Sequence, residues 1–427
     1  MNRRDVLRTA LAAGAVTAGV VPAGAAAAGD KKPGPQAGRD IAYRQWSTGA
    51  ELATGAFAGT AVTGDTITLA SPVGTLDYTD PFTGSTATYE YATWTSVDVS
   101  PGFAATELIA SWTADTPGGA WIQVELQGVT NTGETTKWYV MGRWAADDNQ
   151  IRRTSLAAQG DVHGRIAVDT FVAAQGLGLT SYRLRATLLR PAGGAEAPAL
   201  RSIGAVASVL PPPDKKLAAS TPLAAQGTIL DVPRYSQHLH DGHYPQWNGG
   251  GEAWCSPTST SMVVAYWGTG PTPEDYAWVE PPVDPWVDYA ARNTFDYSYD
   301  GCGNWPFNTA YAGRFGLDGF VTRLRSLNEA ESFIAAGIPL VLSLSFKKNE
   351  IPGLTYDTGG HLLVLVGFGA DGSPVLNDPA AVDNNAVRKV VGRAEFEAAW
   401  LNTSRGVAYV VHPSTVPLPP APEQANW

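Results

Sequence analysis

Hydrophobic and polar positions alternate with a period of two through much of the first half of the chain. Ile122, Val124 and Leu126 alternate with Gln123, Glu125 and Gln127, and Tyr182, Leu184, Ala186 and Leu188 alternate with Arg183, Arg185 and Thr187. That period puts one face of a strand in a core and the other in water. Further strands are predicted near 89–99, 106–114, 137–145 and 165–173, separated by turn signals such as Pro117-Gly118-Gly119. Many short strands without helical periodicity predict an all-β sandwich, jelly-roll-like, over residues 41–208. Pro211-Pro212-Pro213-Asp214-Lys215-Lys216 then marks a stiff, exposed linker at 209–228. Beyond it the pattern changes. Residues 256–267 and 393–401 read as helices, and Ser326 with Glu329 forms a capping box for a helix ending at Gly337. The apolar runs 338–346 and 361–368 read as buried central strands, with a last strand at 406–411. Residues 229–415 are therefore expected to form an α+β domain, followed by a tail at 416–427. The chain is multidomain.

Length suggests two or three domains. The 427 residues are 44% hydrophobic and 16% charged, enough for ordinary cores. Fourteen Trp and 46 Gly favour strands and tight turns. The formal charge is -11 with no basic run after the N-terminus, which excludes a nucleic-acid partner on electrostatic grounds. The N-terminus reads differently from the rest. Arg3, Arg4 and Arg8 precede a small apolar stretch from Ala10 to Ala28 that ends in an A-x-A site. Residues 1–28 are read as an export signal, and the paired arginines resemble the twin-arginine type. The expected location is secreted and extracellular. A retained membrane helix is the rival reading, disfavoured by the shortness of the stretch and its Ala and Gly content. No later segment is long enough to span a membrane, and residues 29–40 read as a disordered lead.

The candidate chemistry centres on Cys255. Trp254-Cys255-Ser256-Pro257-Thr258 opens the helix at 256–267, with Pro257 suited to its first turn and Cys255 or Ser256 at the cap. A cysteine at a helix N-terminus feels the positive end of the dipole, which favours the thiolate. A thiolate nucleophile needs a base, and His361 stands at the mouth of the apolar run Leu362 to Phe368. Gly369-Ala370-Asp371-Gly372 predicts a hairpin whose return strand, Pro374 to Asp378, sets His361 opposite roughly Ala380 with Asp378 on the diagonal. Asp378 would then hold the imidazole, with Asn377 as the alternative orienter. Gln237 is the leading candidate for an oxyanion donor together with the Cys255 backbone N–H, and Gln246 is its rival.

In the order Gln, Cys, His, Asp, this constellation resembles the papain-like cysteine peptidases. More closely, it is similar to the bacteriocin-processing, C39-like type. The matching pieces are Val232-Pro233-Arg234-Tyr235-Ser236-Gln237, Cys255-Ser256-Pro257-Thr258, His361 and Asn377-Asp378-Pro379. The resemblance implies a papain-like domain over about 229–413. It implies Cys255 as nucleophile, His361 as general base and acid, Asp378 as orienter and Gln237 as oxyanion donor. The implied reaction is hydrolysis of a peptide or protein substrate through a thioester, with no metal or organic cofactor required. Ser256 departs from the glycine that many members carry. The best-known members sit on transporters and cut after a Gly-Gly pair, and that specificity does not carry over to an exported chain with a β-domain.

Three rival readings remain at this stage. Cys302 is the only other cysteine, and in an exported protein a Cys255–Cys302 disulfide would remove the nucleophile. His238-Leu239-His240-Asp241-Gly242-His243 resembles a metal motif with a displaced acid, against a plainer reading as a polar loop bordering the cleft. The third keeps the fold and changes the task, to a papain-like amidase or cell-wall hydrolase, or to an inactive carbohydrate- or protein-binding protein. A cell-wall or carbohydrate ligand for the N-terminal domain would rest on Trp112, Trp121, Trp138 or Trp144, residues that in a sandwich are more often core.

Overall fold

The computed structural model describes residues 38–214 and 217–427. The export signal, nearly all of the lead and Lys215-Lys216 lie outside them. The first half is built of two antiparallel sheets. In one, the strands run in the order Gly164–Ala167, Thr170–Ala173, Glu107–Asp115, Ala199–Val209, Thr66–Leu69 and Thr60–Thr63, with Asp40–Trp46 also paired to Ala199–Val209. In the other the order is Ala56–Ala58, Thr86–Thr95, Leu179–Pro191, Trp121–Thr130 and Tyr139–Trp144, with Gly74–Thr79 on Thr86–Thr95. The predicted alternation holds in Trp121–Thr130 and Leu179–Pro191, which pair Leu184 with Leu126 and Arg185 with Glu125. The expected single strand at 165–173 is instead a hairpin. Val168 turns the chain at a φ of 63°, a local reversal that a run of apolar residues does not announce.

Trp46, Trp94, Trp112 and Trp144 are fully buried in the sandwich core, and Trp121 is buried beside it. Trp138 is half-buried, with the Arg185 guanidinium 4.2 Å from its ring centroid. The tryptophans considered for sugar stacking are thus core or arginine-covered.

The second half has one six-stranded antiparallel sheet. Its order is Asp318–Arg323, Val407–His412, Leu340–Phe346, Thr358–Phe368, Pro374–Asn377 and Arg388–Val390. The helices Cys255–Tyr266, Trp286–Thr294, Trp305–Gly313, Leu327–Ala335 and Arg393–Thr403 accompany it. No helix among the described residues is long and apolar enough to cross a membrane. The capping box at Ser326 does not form. Ser326 makes no side-chain cap, and Glu329 Oε2 accepts instead from the Arg325 N–H at 2.7 Å, because its carboxylate also pairs with the Arg325 guanidinium.

The linker is largely exposed, as expected, but it is anchored at several backbone N–H groups. The buried carboxylate of Glu331 accepts the Leu223 and Ala224 N–H groups at 2.8 and 2.7 Å, and the equally buried Glu397 accepts that of Ser220 at 2.6 Å. The tail is docked too. Arg325 reaches Ile41 O at 2.7 Å and Gln424 O at 2.9 Å, so one guanidinium ties the first strand to the C-terminal segment. Between the halves the core is continuous: the Phe307 ring lies 5.5 Å from Trp144 and 6.1 Å from Trp112.

Candidate active site

The helix Cys255–Tyr266 is buried from Ser256 to Val264 on every side, which explains its run of small Ser and Thr residues in place of an amphipathic stripe. Trp254 occupies the N-cap position and offers no side-chain cap, so Cys255 is the first helical residue, one step inside the expected cap. The first-turn N–H groups are therefore left without a side-chain acceptor. Two contacts fix the helix to the sheet. Ser259 Oγ donates to Leu362 O at 3.1 Å, directly after His361, and Ser256 Oγ meets the Tyr409 hydroxyl at 3.0 Å. The second contact gives Ser256 a reason to replace the smaller glycine.

His361 lies three residues inside its strand, which begins at Thr358 rather than at the histidine itself. The hairpin register is informative. After the turn, Phe368 pairs with Pro374 and Gly367 with Val375. An irregularity between Leu365 and Gly367 then shifts the ladder by one residue, so that Val364 pairs with Asn377. The ladder ends at Asn377, and Pro379 and Ala380 turn away, so the expected His361–Ala380 pair does not form and Asp378 meets the histidine from the end of the strand. Asn377 and Asp378 alternate across the strand. Asn377 donates to Val232 O and Pro233 O at 3.2 and 2.9 Å and accepts from Arg388 at 2.7 Å, so it holds the incoming chain. Asp378 meets the histidine, with its Oδ1 2.8 Å from His361 Nε2.

That contact leaves Nδ1 of His361 for the thiol, and the imidazole lies close enough to bias the ionisation of Cys255. Burial acts to raise the Cys255 thiol pKa, but the His361 imidazole outweighs it and holds the thiol below its ordinary value. For His361, burial acts to lower the pKa, while the Asp378 carboxylate and the thiol raise it well above the usual histidine range. Burial likewise opposes ionisation of Asp378, and the donors from His361, Ala380 and Tyr356 more than offset it. The environment thus favours a thiolate–imidazolium pair. Cys255 is partly exposed, whereas His361 and Asp378 are buried.

Gln237 starts a short 3-10 helix, Gln237–His240, and is buried. Its Nε2 donates to Glu252 O at 2.9 Å, just upstream of Cys255, and its N–H donates to Pro379 O at 2.8 Å, just downstream of Asp378. Its Oε1 has no partner among the described residues. Gln246 is exposed. The approach of Gln237 depends on glycine. Gly250 has a φ of +112°, and a Cβ at Gly251 would fall 2.3 Å from Gln237 O.

Cys302 is fully buried, and both it and the partly exposed Cys255 are free, so the disulfide does not form. Its Sγ donates to Ala291 O at 3.5 Å, and burial pushes its thiol pKa up. The histidine motif separates into two parts. His238 pairs with Asp241 at the surface. His240 and His243 both turn inward to the buried Asp288 on helix Trp286–Thr294, with contacts of 2.8 and 3.0 Å. Those contacts tie the Gln237 loop to that helix, and the three groups lie within 4.8 Å of one another, close enough to share a metal ion.

Sequence reading missed several elements, among them the strands Ala199–Val209 and Asp318–Arg323 and two helices, and one contact. The helices Trp286–Thr294 and Trp305–Gly313 went unseen, although Asn304 followed by Pro306 is a start signal, and Asn304 does cap the Phe307 N–H at 3.2 Å. Tyr356 touches both His361 and Asp378 and carries no motif.

Residues 42–208 match the model of the Peptidase C39 N-terminal domain, and residues 229–408 match that of the Peptidase_C39 like family. A search of the curated proteins gives no match. The two matched segments coincide with the sandwich and with the domain that brings Gln237, Cys255, His361 and Asp378 together: the second half of the chain is a domain of the Peptidase_C39 like family, preceded by a C39 N-terminal domain.

Proposed function

We propose that this protein is an exported cysteine peptidase that hydrolyses peptide bonds through a thioester on Cys255. One observation carries the reading: a single imidazole, His361, faces the Cys255 thiol on one side and the buried Asp378 carboxylate on the other. In the first half-reaction the thiolate attacks the scissile carbonyl carbon, and the carbonyl electrons move onto oxygen. The Gln237 amide and the Cys255 N–H are the donors for that oxyanion. As the C–N bond breaks, the His361 imidazolium protonates the leaving amine. Water then attacks the thioester and gives a proton to His361. The C–S bond breaks, the carboxylic acid leaves and the thiolate–imidazolium pair returns. Asp378 stays ionised throughout and holds the imidazole plane. Export is supported by the sequence of residues 1–28 alone.

The test is a peptide-library digest with protein recovered from culture fluid, expected to begin near residue 29, beside Cys255→Ala. Cleavage by the wild type and none by the variant is the expected result. Cleavage that persists in Cys255→Ala overturns the assignment. A library left intact while amide or cell-wall substrates are hydrolysed moves the reading to an amidase.

A further inference from the structure

Tyr356 arrives from the 351–357 segment between strands Leu340–Phe346 and Thr358–Phe368, over the buried Ile351 and Leu354. Its hydroxyl lies 3.0 Å from each carboxylate oxygen of Asp378. Its ring stands at 83° to the His361 imidazole, with centroids 5.7 Å apart, and the Phe346 ring packs against it at 5.1 Å. A phenol has one proton, so equal distances place that proton astride the carboxylate. Asp378 Oδ1 also accepts the Ala380 N–H at 3.1 Å. The carboxylate is therefore pinned by two donors that take no part in proton transfer, and its remaining capacity faces Nε2 of His361.

We infer that Tyr356 is a positioning residue of this site: its hydroxyl sets the plane of the Asp378 carboxylate, and its ring edge sets the plane of the imidazole that faces Cys255. The inference rests on the proposed cysteine-peptidase reading. It also bears on ionisation. The titratable groups facing Asp378 are His361 and Tyr356, with Cys255 beyond the imidazole. The hydroxyl donor favours ionised Asp378. Burial, and then the carboxylate itself, push the phenol pKa far up, so Tyr356 remains a donor across the working range.

The experiment is Tyr356→Phe in the full chain, read two ways. Iodoacetamide alkylation of Cys255 against pH needs no substrate. Peptide hydrolysis gives kcat and KM separately. Loss of one hydrogen bond to a charged group predicts a fall in kcat on the order of tenfold, with KM within about twofold. It also predicts that the acid limb of both profiles moves to higher pH, because Asp378 protonates sooner. A purely structural role would lower the melting temperature and the active fraction and leave both limbs in place, and that result overturns the inference. If Phe at 356 prevents folding, Tyr356→Trp, which keeps a ring and an N–H donor, is expected to retain the wild-type acid limb, and a shifted limb overturns the inference. Failure of the underlying reading looks different: wild-type Cys255 would then show no alkylation below the ordinary thiol range.

Discussion

At the scale of single residues, the chemistry depends on which groups surround His361. An imidazole beside a thiol is a weak arrangement if the ring is free to turn or to lose its proton early. Here the Asp378 carboxylate, buried and donor-rich, raises the affinity of the ring for its second proton, and the same proton lowers the cost of the neighbouring thiolate. The sign of the pH dependence follows. Activity should fall at low pH as the thiolate and the Asp378 carboxylate that supports the pair take up protons, and at high pH as the imidazolium is lost, so the alkaline limb should lie above the ordinary histidine range. Asp378→Asn removes the charge that raises His361. The alkaline limb should move down and kcat should fall by about 10²-fold or more, measured on a peptide substrate. An unchanged alkaline limb would show that Asp378 does not set the ionisation of His361. The nearness of His361 and Asp378 was legible beforehand because a hairpin is local and its turn brings the two strands together, although the bulge that sets their register was not. Tyr356 was not legible, because it reaches Asp378 from a loop whose path depends on the buried Ile351 and Leu354.

At the scale of elements, three short pieces of backbone set the geometry. The irregularity between Leu365 and Gly367 brings the histidine strand into register with Asp378, and a bulge of one residue is invisible in an apolar run. The 3-10 helix Gln237–His240 packs against a second one, Gly251–Ala253, which leads directly into the cysteine helix. Gly251 makes their approach possible, since any side chain there meets the Gln237 carbonyl. Gly251→Ala should cost about 1–3 kcal/mol of stability, seen in urea denaturation, because backbone atoms rather than a flexible side-chain tip must yield. It should also lower kcat while leaving Cys255 alkylation close to wild type, since alkylation develops no oxyanion. Equal losses in both reactions would argue against Gln237 as the donor. The cysteine helix itself was legible from Pro257 and the apolar positions after it, but its cap was displaced by one residue because Trp254, anchored through its Nε1 to Trp247 O at 2.6 Å, takes that place.

At the scale of the whole molecule, the sandwich and the peptidase domain share a core. Helix Trp305–Gly313 inserts Phe307 between Trp112 and Trp144, and Arg153, fully buried in the sandwich half, donates to Arg292 O at 2.7 Å. Arg323 pairs with Glu107 at 2.6 Å, and Arg314 donates to Ala146 O at 2.7 Å. These contacts make the N-terminal domain a wall of the peptidase rather than a module on a tether. Phe307→Ala should cost about 3–5 kcal/mol, measured by chemical denaturation followed both by tryptophan fluorescence and by activity. Coincident transitions by the two probes, shifted together in the variant, are expected. Two separated transitions in the wild type would show that the halves fold independently.

The sequence by itself determined the local half of this protein: the period-two strands of the sandwich, the helix that follows Cys255, and the His361–Asp378 hairpin. Each of these follows from side-chain periodicity, turn residues or helix-start chemistry within a few positions. The tertiary structure decided everything that requires distant segments to meet. It left both cysteines free, turned His240 and His243 to Asp288, buried Gln237 beside the cysteine helix, anchored the linker on Glu331 and Glu397, and brought Tyr356 to Asp378. The physical reason is the same in each case: these contacts join residues whose separation along the chain carries no period, and only the packing of buried surfaces decides which of them become neighbours.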